Sequence, residues 1–353
     1  MEESESIWKE YTKLNLLGNS ANGKAYKAKS KENNKIVVIK QYSKEQKNST
    51  ALYKNEIKYM EELKSENTIK YIKLEESFHF NYIIREFYYA TLDEFTKVNQ
   101  NGVSVKDIQK ILLDLSIPFK ILNQKNLIHR DIKPSNILFT YDEKKNIKAI
   151  LSGIYLTQKK EENLNNNLGV NPIRLICAPE VLMGEELDMK SDIWSVGILI
   201  YFLIKGNYPF NGKRDIIILR EIEKGIDLNI SDDNDLNDLL NKTLEKDIKK
   251  RISWDEFFNH QFLKKKFNET NKPSKEKKDE QKIKKGKEEI LKIKNEINNL
   301  KKTNINTIRD YSLLIKIIGK DKDLHKKFED EIYKPIQQAY MNLIQILSSK
   351  KFN

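Results

Sequence analysis

Three short stretches near the N-terminus carry residue types suited to phosphate chemistry. Leu17-Gly18-Asn19-Ser20-Ala21-Asn22-Gly23-Lys24-Ala25 has the form of a loop folded over phosphates. Glycine lets a backbone N–H approach an oxygen without a Cβ in the way. A β-hairpin turn has the same composition, so the stretch alone does not decide between the two. Fifteen residues after Ala25, Val37-Val38-Ile39-Lys40 places a lysine at the end of an apolar strand. Glu56 follows 16 residues later, among Leu52, Tyr59, Met60 and Leu63 at helical spacing, where a carboxylate would hold the Lys40 ammonium. Taken singly, each of these charges is more often an exposed surface residue.

The elements that must position them belong to a chain of 353 residues, 39% hydrophobic, enough for about two folding units. Three Trp, 16 Tyr and 14 Phe supply core anchors and argue against wholesale disorder. The single cysteine, Cys177, excludes an intrachain disulfide and a CxxC metal cluster, and suits a reducing compartment. The acidic start Met1-Glu2-Glu3-Ser4-Glu5-Ser6 is wrong for a signal peptide. The apolar run 196–204 is about half of what spans a bilayer. Neither end signals lipidation, and the expectation is a soluble, cytoplasmic protein without membrane contact.

From 11 to 84 the pattern is strand-like, with apolar runs at 14–17, 25–28 and 36–39 and one helix around Glu56. From 93 to 267 helical patterns dominate, for example over 108–121 and 193–204. The polar stretch 268–274, with Pro273, reads as a linker. Beyond it Ile283, Ile290, Ile297 and Asn304 fall seven apart, with Ile293 and Leu300 between them and Gly286 and Thr307 as imperfect members. That is the a/d pattern of a short coiled coil, and it predicts self-association or a protein partner through the helix 283–308.

The stretch His129-Arg130-Asp131-Ile132-Lys133-Pro134-Ser135-Asn136 resembles the catalytic loop of the eukaryotic protein kinases. The lysine two residues after the aspartate is similar to their Ser/Thr branch. Later landmarks keep the family's order: Ala178-Pro179-Glu180, then Asp192-Ile193-Trp194-Ser195-Val196-Gly197, then Arg251, which resembles the family's partner for the glutamate, here Glu180. The resemblance spans residues 11–267 and implies an α+β, bilobal kinase fold. Its β-rich N-lobe would cover about 11–88 and its helical C-lobe about 89–267, followed by the linker and a helical tail over 275–353. It implies that Asp131 accepts the substrate hydroxyl's proton, Lys133 steadies the phosphoryl group and Asn136 binds Mg²⁺. It also implies a nucleotide site made of Leu17, Gly18, Gly23, Ala25, Val38, Lys40, Glu56 and Glu86.

Several positions depart from the family. After the strand 147–150 the family's Asp-Phe-Gly is Leu151-Ser152-Gly153. Leucine offers no oxygen to a hard cation, so Asn136 is the only recognisable metal ligand and Asp142 lies too early to substitute. Losing the bridging metal removes several kcal/mol of charge stabilisation, and each ~1.4 kcal/mol is a factor of ten in rate. Ser152 replaces a phenylalanine that anchors the Glu56 helix. Arg85, just before the hinge, stands at the gatekeeper position, where burial is costly unless it is paired; Glu56 is its nearest candidate partner, in competition with Lys40. Ser20 replaces the middle glycine, Ala25 a valine, Val38 an alanine, and Ile173 the threonine expected to touch Asp131.

Two readings of different class follow. The first is a pseudokinase, a scaffold or interaction module with absent or very weak phosphotransfer, weak ATP binding and no Mg²⁺ in the usual place. The alternative is an active Ser/Thr kinase that transfers the ATP γ-phosphate to protein hydroxyls with a non-standard metal site. A third, nucleic-acid binding, is disfavoured: residues 264–302 hold 15 Lys against 7 acidic residues, a net +8 of the chain's +12, but with only Phe267 for stacking.

Overall fold

The computed structural model describes residues 6–20, 23–88, 90–98, 103–141, 147–160 and 174–267. The N-terminal region opens with a short helix α1 (Ser6–Glu10) and continues as strands β1 (Tyr11–Ser20), β2 (Gly23–Ser30) and β3 (Ile36–Ser43). Helix α2 (Ser49–Glu62) precedes β4 (Tyr71–Glu76) and β5 (Phe80–Glu86). The sheet order is β1-β2-β3-β5-β4, antiparallel throughout. The β-branched run Ile36-Val37-Val38-Ile39 suits a central strand covered on both faces.

Side-chain alternation divides that sheet into two faces. One buries Val37, Ile39, Tyr82 and Ile84 with Ile7, Tyr11 and Ala28. The other carries Val38, Lys40 and Tyr42 at successive steps of two. Register adds Arg85 opposite Val38, Ile83 opposite Lys40 on β5, and Ala25 opposite Lys40 on β2. This second face looks toward α2. Helix α1 was not foreseen from the sequence, because five residues are too few to show a period. Its Ile7 is fully buried and its Trp8 meets Tyr26 edge-on at 5.5 Å.

The C-terminal region is helical around small sheets. Strand β6 (Ala90–Thr91) leads into α3 (Leu92–Val98) and α4 (Val105–Gln124), and β7 (Leu127–Ile128) leads to β8 (Ile137–Tyr141), β9 (Ile147–Leu151) and β10 (Gln158–Lys159). Helices α5 (Pro179–Leu182), α6 (Met189–Lys205), α7 (Asp215–Lys224), α8 (Asn234–Thr243), α9 (Trp254–Phe258) and α10 (Gln261–Lys264) complete it. Helix α4 starts at Ser104, whose hydroxyl accepts from the Asp107 N–H at 3.1 Å. Helix α6 starts at Asp188 and stops at Gly206 in the left-handed region, φ 76°. It is apolar nearly all round, from Ile193 to Leu203, and accordingly sits at the centre of its region.

The compact unit carrying these elements ends at Lys266. The linker 268–274 and the heptad pattern of 283–308 lie outside the described residues. Among the described residues, no helix is long and apolar enough to cross a membrane.

Candidate functional site

Strand β3 and helix α2 bring Lys40 and Glu56 together. The Lys40 ammonium donates to Glu56 Oε2 at 2.6 Å, and Tyr42, two residues along the same strand face, donates its hydroxyl to the same oxygen. Glu56 lies in the buried stripe of α2 and is 2% exposed. Burial alone would raise its carboxyl, but the Lys40 charge and the two hydrogen bonds, with Arg85 behind them, hold it below the usual carboxylate range. Burial likewise lowers Lys40, against the pull of Glu56.

Arg85 shares this face but does not compete for Glu56 as anticipated. The direct contacts belong to Lys40 and Tyr42; Arg85 acts on the carboxylate through space, and its Nε is enclosed without a hydrogen-bond partner. Its guanidinium is pushed down by burial.

The loop 129–136 hangs from helix α6. Asp192, in the first turn of that helix, accepts from the backbone N–H of His129 at 2.6 Å and of Arg130 at 2.9 Å. Arg130 takes the left-handed conformation, φ 71°, and its guanidinium donates to Gln158 at 2.7 Å. Burial pushes the Asp192 carboxyl up to about 6 and the His129 imidazole down to about 4. Lower in the same region, Arg251 grips Glu180 with two bonds of 2.7 and 2.9 Å, the pairing that the sequence implied.

Asp131 is completely buried and its carboxylate is crowded with donors. Lys133 donates to Oδ1 at 2.8 Å. Asn136 donates to Oδ2 at 2.6 Å and to the Asp131 carbonyl at 2.8 Å. The Tyr155 hydroxyl donates to Oδ2 at 2.9 Å, while its ring centroid lies 4.7 Å from the Lys40 ammonium. A general base needs a lone pair within reach of the proton it takes; here three side chains of the protein surround it.

The residues present do not fit a divalent metal. Leu151 ends β9 fully buried, its backbone held by Asn67 and Ile69 at 2.8 and 2.9 Å. Asn136 donates its amide nitrogen to Asp131, which leaves one amide oxygen there, and among the described residues no three His, Cys, Asp or Glu side chains form a group that could hold a metal ion.

Ser152 does not leave α2 loose. Its hydroxyl donates to the Asn136 carbonyl at 2.7 Å, and the helix is tied instead by Asn55, which donates to the carbonyls of Tyr155 and Thr157 at 2.7 and 3.0 Å. In the glycine-rich stretch, Gly18 pairs with Ala25 across the β1–β2 hairpin. Gly23, φ 106°, is required because a Cβ there would collide with the carbonyl of Gln41; that need is structural whatever the hairpin binds. Leu17 is exposed, Val38 buried, and Glu86 exposed at the end of β5. Ile173 lies outside the described residues. Tyr42 and Tyr155 were missed by sequence reasoning; the period of β3 would have put Tyr42 on the Lys40 face, whereas nothing local marks Tyr155.

A sheet-rich region with a Lys–Glu pair to its helix, joined to a helical region from which a His-Arg-Asp loop is suspended, defines the protein kinase domain. A family model described as protein kinase domain matches residues 11–263, and the chain belongs to that family. It is 31% identical over 258 residues to calcium-dependent protein kinase 5 of Plasmodium falciparum, covering 70% of this chain and 44% of that protein. It is 32% identical over 160 residues to the serine/threonine-protein kinase ATG1b of Arabidopsis thaliana, covering 44% of this chain and 22% of that protein. The chain thus spans less than half the length of these relatives.

Proposed function

We propose that the chain is a pseudokinase, a Ser/Thr-kinase-like fold retained as a cytoplasmic scaffold or interaction module, with phosphotransfer absent or at background. Leu151 carries this reading: at the position of the family's metal-binding aspartate it supplies no oxygen, and a loss of several kcal/mol of transition-state stabilisation follows. Nucleotide binding, through Leu17, Gly18, Gly23, Ala25, Val38, Lys40, Glu56 and Glu86, is weak and does not depend on Mg²⁺. Protein contact is made through the coiled-coil-like helix 283–308.

The test is purified full-length chain with labelled ATP and Mg²⁺ or Mn²⁺, beside Asp131→Asn. No incorporation above the Asp131→Asn background is expected. The intact loop 129–136 and the Lys40–Glu56 pair favour the second reading, an active Ser/Thr kinase that draws its metal ligands from elsewhere. Turnover abolished by Asp131→Asn would decide for it.

A further inference from the structure

We propose that Tyr155 is a built-in occupant of the phosphate end of the cleft, the residue that decides whether a nucleoside triphosphate can enter. This rests on the reading of the cleft as a nucleotide-class site without metal-dependent transfer. The argument starts from position. Lys40 and Asp131 come from opposite sides of the cleft, and the Tyr155 side chain bridges them: its ring sits 4.7 Å from the Lys40 ammonium and its hydroxyl 2.9 Å from Asp131 Oδ2. A cation over an aromatic face and a hydroxyl on a carboxylate are both favourable contacts. Tyr155 is 8% exposed, so the bridge is shielded from water.

The turn that delivers the ring is fixed on both sides. Gly153, φ 77°, reverses the chain where a Cβ would run into the Asn136 amide. Residues Ile154–Leu156 then form a single 3₁₀ turn whose Ile154 and Leu156 are buried, and Asn55 on α2 clamps the carbonyls of Tyr155 and Thr157. The side chain is therefore pre-placed by its anchors.

Occupancy points the same way. The Lys40–Glu56 pair at 2.6 Å is compatible with phosphate binding, so the obstacle to phosphates at Lys40 is the Tyr155 ring against its ammonium. With its ring against the Lys40 ammonium and its hydroxyl on Asp131, Tyr155 must be displaced by phosphates that reach Lys40. A nucleoside, which carries no phosphate, does not meet that obstacle. The cleft accordingly withholds from ATP most of the affinity that its phosphates would add over the uncharged nucleoside.

The experiment is calorimetric titration of adenosine and of ATP, both in EDTA, into the full chain and into Tyr155→Ala and Tyr155→Phe. In the wild type, ATP should bind no more than threefold tighter than adenosine. Tyr155→Ala should tighten ATP at least tenfold and leave adenosine within threefold. Tyr155→Phe keeps the ring and loses the hydroxyl, and should tighten ATP at least threefold; this variant decides if Tyr155→Ala does not fold. ATP binding the wild type more than threefold tighter than adenosine overturns the proposal. So does an ATP-to-adenosine ratio unchanged in the folded variants, or no binding of either ligand to any of them. An unchanged ratio leaves the absence of phosphotransfer standing, whereas Asp131-dependent phosphotransfer by the wild type defeats that absence without altering the ratio.

Discussion

His129 donates from Nε2 to the carbonyl of Ser152 at 3.1 Å and accepts the Asp131 backbone N–H on Nδ1 at 3.3 Å. A carbonyl can only accept and an amide can only donate, so the buried ring is neutral with its proton on Nε2. Protonating it would place a donor against the Asp131 N–H.

That arrangement predicts an unusual dependence on pH. His129 is lowered from 6.5 to about 4, so its contribution is present above pH 6.5 and is lost as pH falls toward 4. Asp192 is raised from 3.8 to about 6, so its contribution is present below pH 3.8 and is lost as pH rises through 6. Each is worth about 3 kcal/mol and their slopes oppose one another between pH 4 and 6. Asp192→Asn removes only the second. Urea denaturation at pH 7 and pH 4.5 should show the variant losing about 2–3 kcal/mol more than the wild type on acidification. Parallel profiles would mean that the two groups do not oppose one another as described.

The Glu180–Arg251 pair tests the C-terminal region alone. Both side chains are buried, and Arg251 also donates to the carbonyls of Glu245 and Lys190 at 2.9 Å each. Removing one partner leaves an uncompensated buried charge, which costs about 3–5 kcal/mol. Arg251→Ala should lower the denaturation midpoint accordingly. A change below about 1 kcal/mol is what a surface pair would give, and would contradict the burial described.

Leu151→Asp restores the missing oxygen ligand and nothing else. It should raise phosphotransfer by less than tenfold, since Asp131 remains surrounded by Lys133, Asn136 and Tyr155. It should also lower stability, because an unpaired carboxylate is placed at a fully buried position. Phosphotransfer with Mg²⁺ and a thermal melt of the same preparation read both effects. A gain of several decades would show that the metal ligand alone was lacking.

The tail is tested by its apolar stripe. Charges at Ile290 and Ile297, two a positions of the heptad pattern, should abolish self-association or partner binding and leave the kinase domain folded. Sedimentation of wild type and Ile290→Asp/Ile297→Asp, with circular dichroism of each, gives the answer. Unfolding of the domain by these changes would place the stripe within the chain's own core.

Much of the site was legible because it is written locally. The loop 129–136 is a contiguous string, Lys40 ends an apolar strand, and Glu56 sits in a helical stripe, so period and spacing place each on its element before any fold is known. The Arg251–Glu180 pair, which the structure contains, and the leucine at 151 were read only through the resemblance to the family, because no period or spacing marks either. The state of these groups depends on tertiary structure. Tyr42 joins Glu56 only once α2 packs on the inner face of β3, and Arg85 is carried to that face by the register of β5. Tyr155 lies 24 residues from Asp131, beyond a left-handed glycine and one 3₁₀ turn. No residue type or spacing along the chain fixes where its ring points; the burial of Ile154 and Leu156 and the clamp from Asn55 do, because they set the orientation of the backbone that carries it.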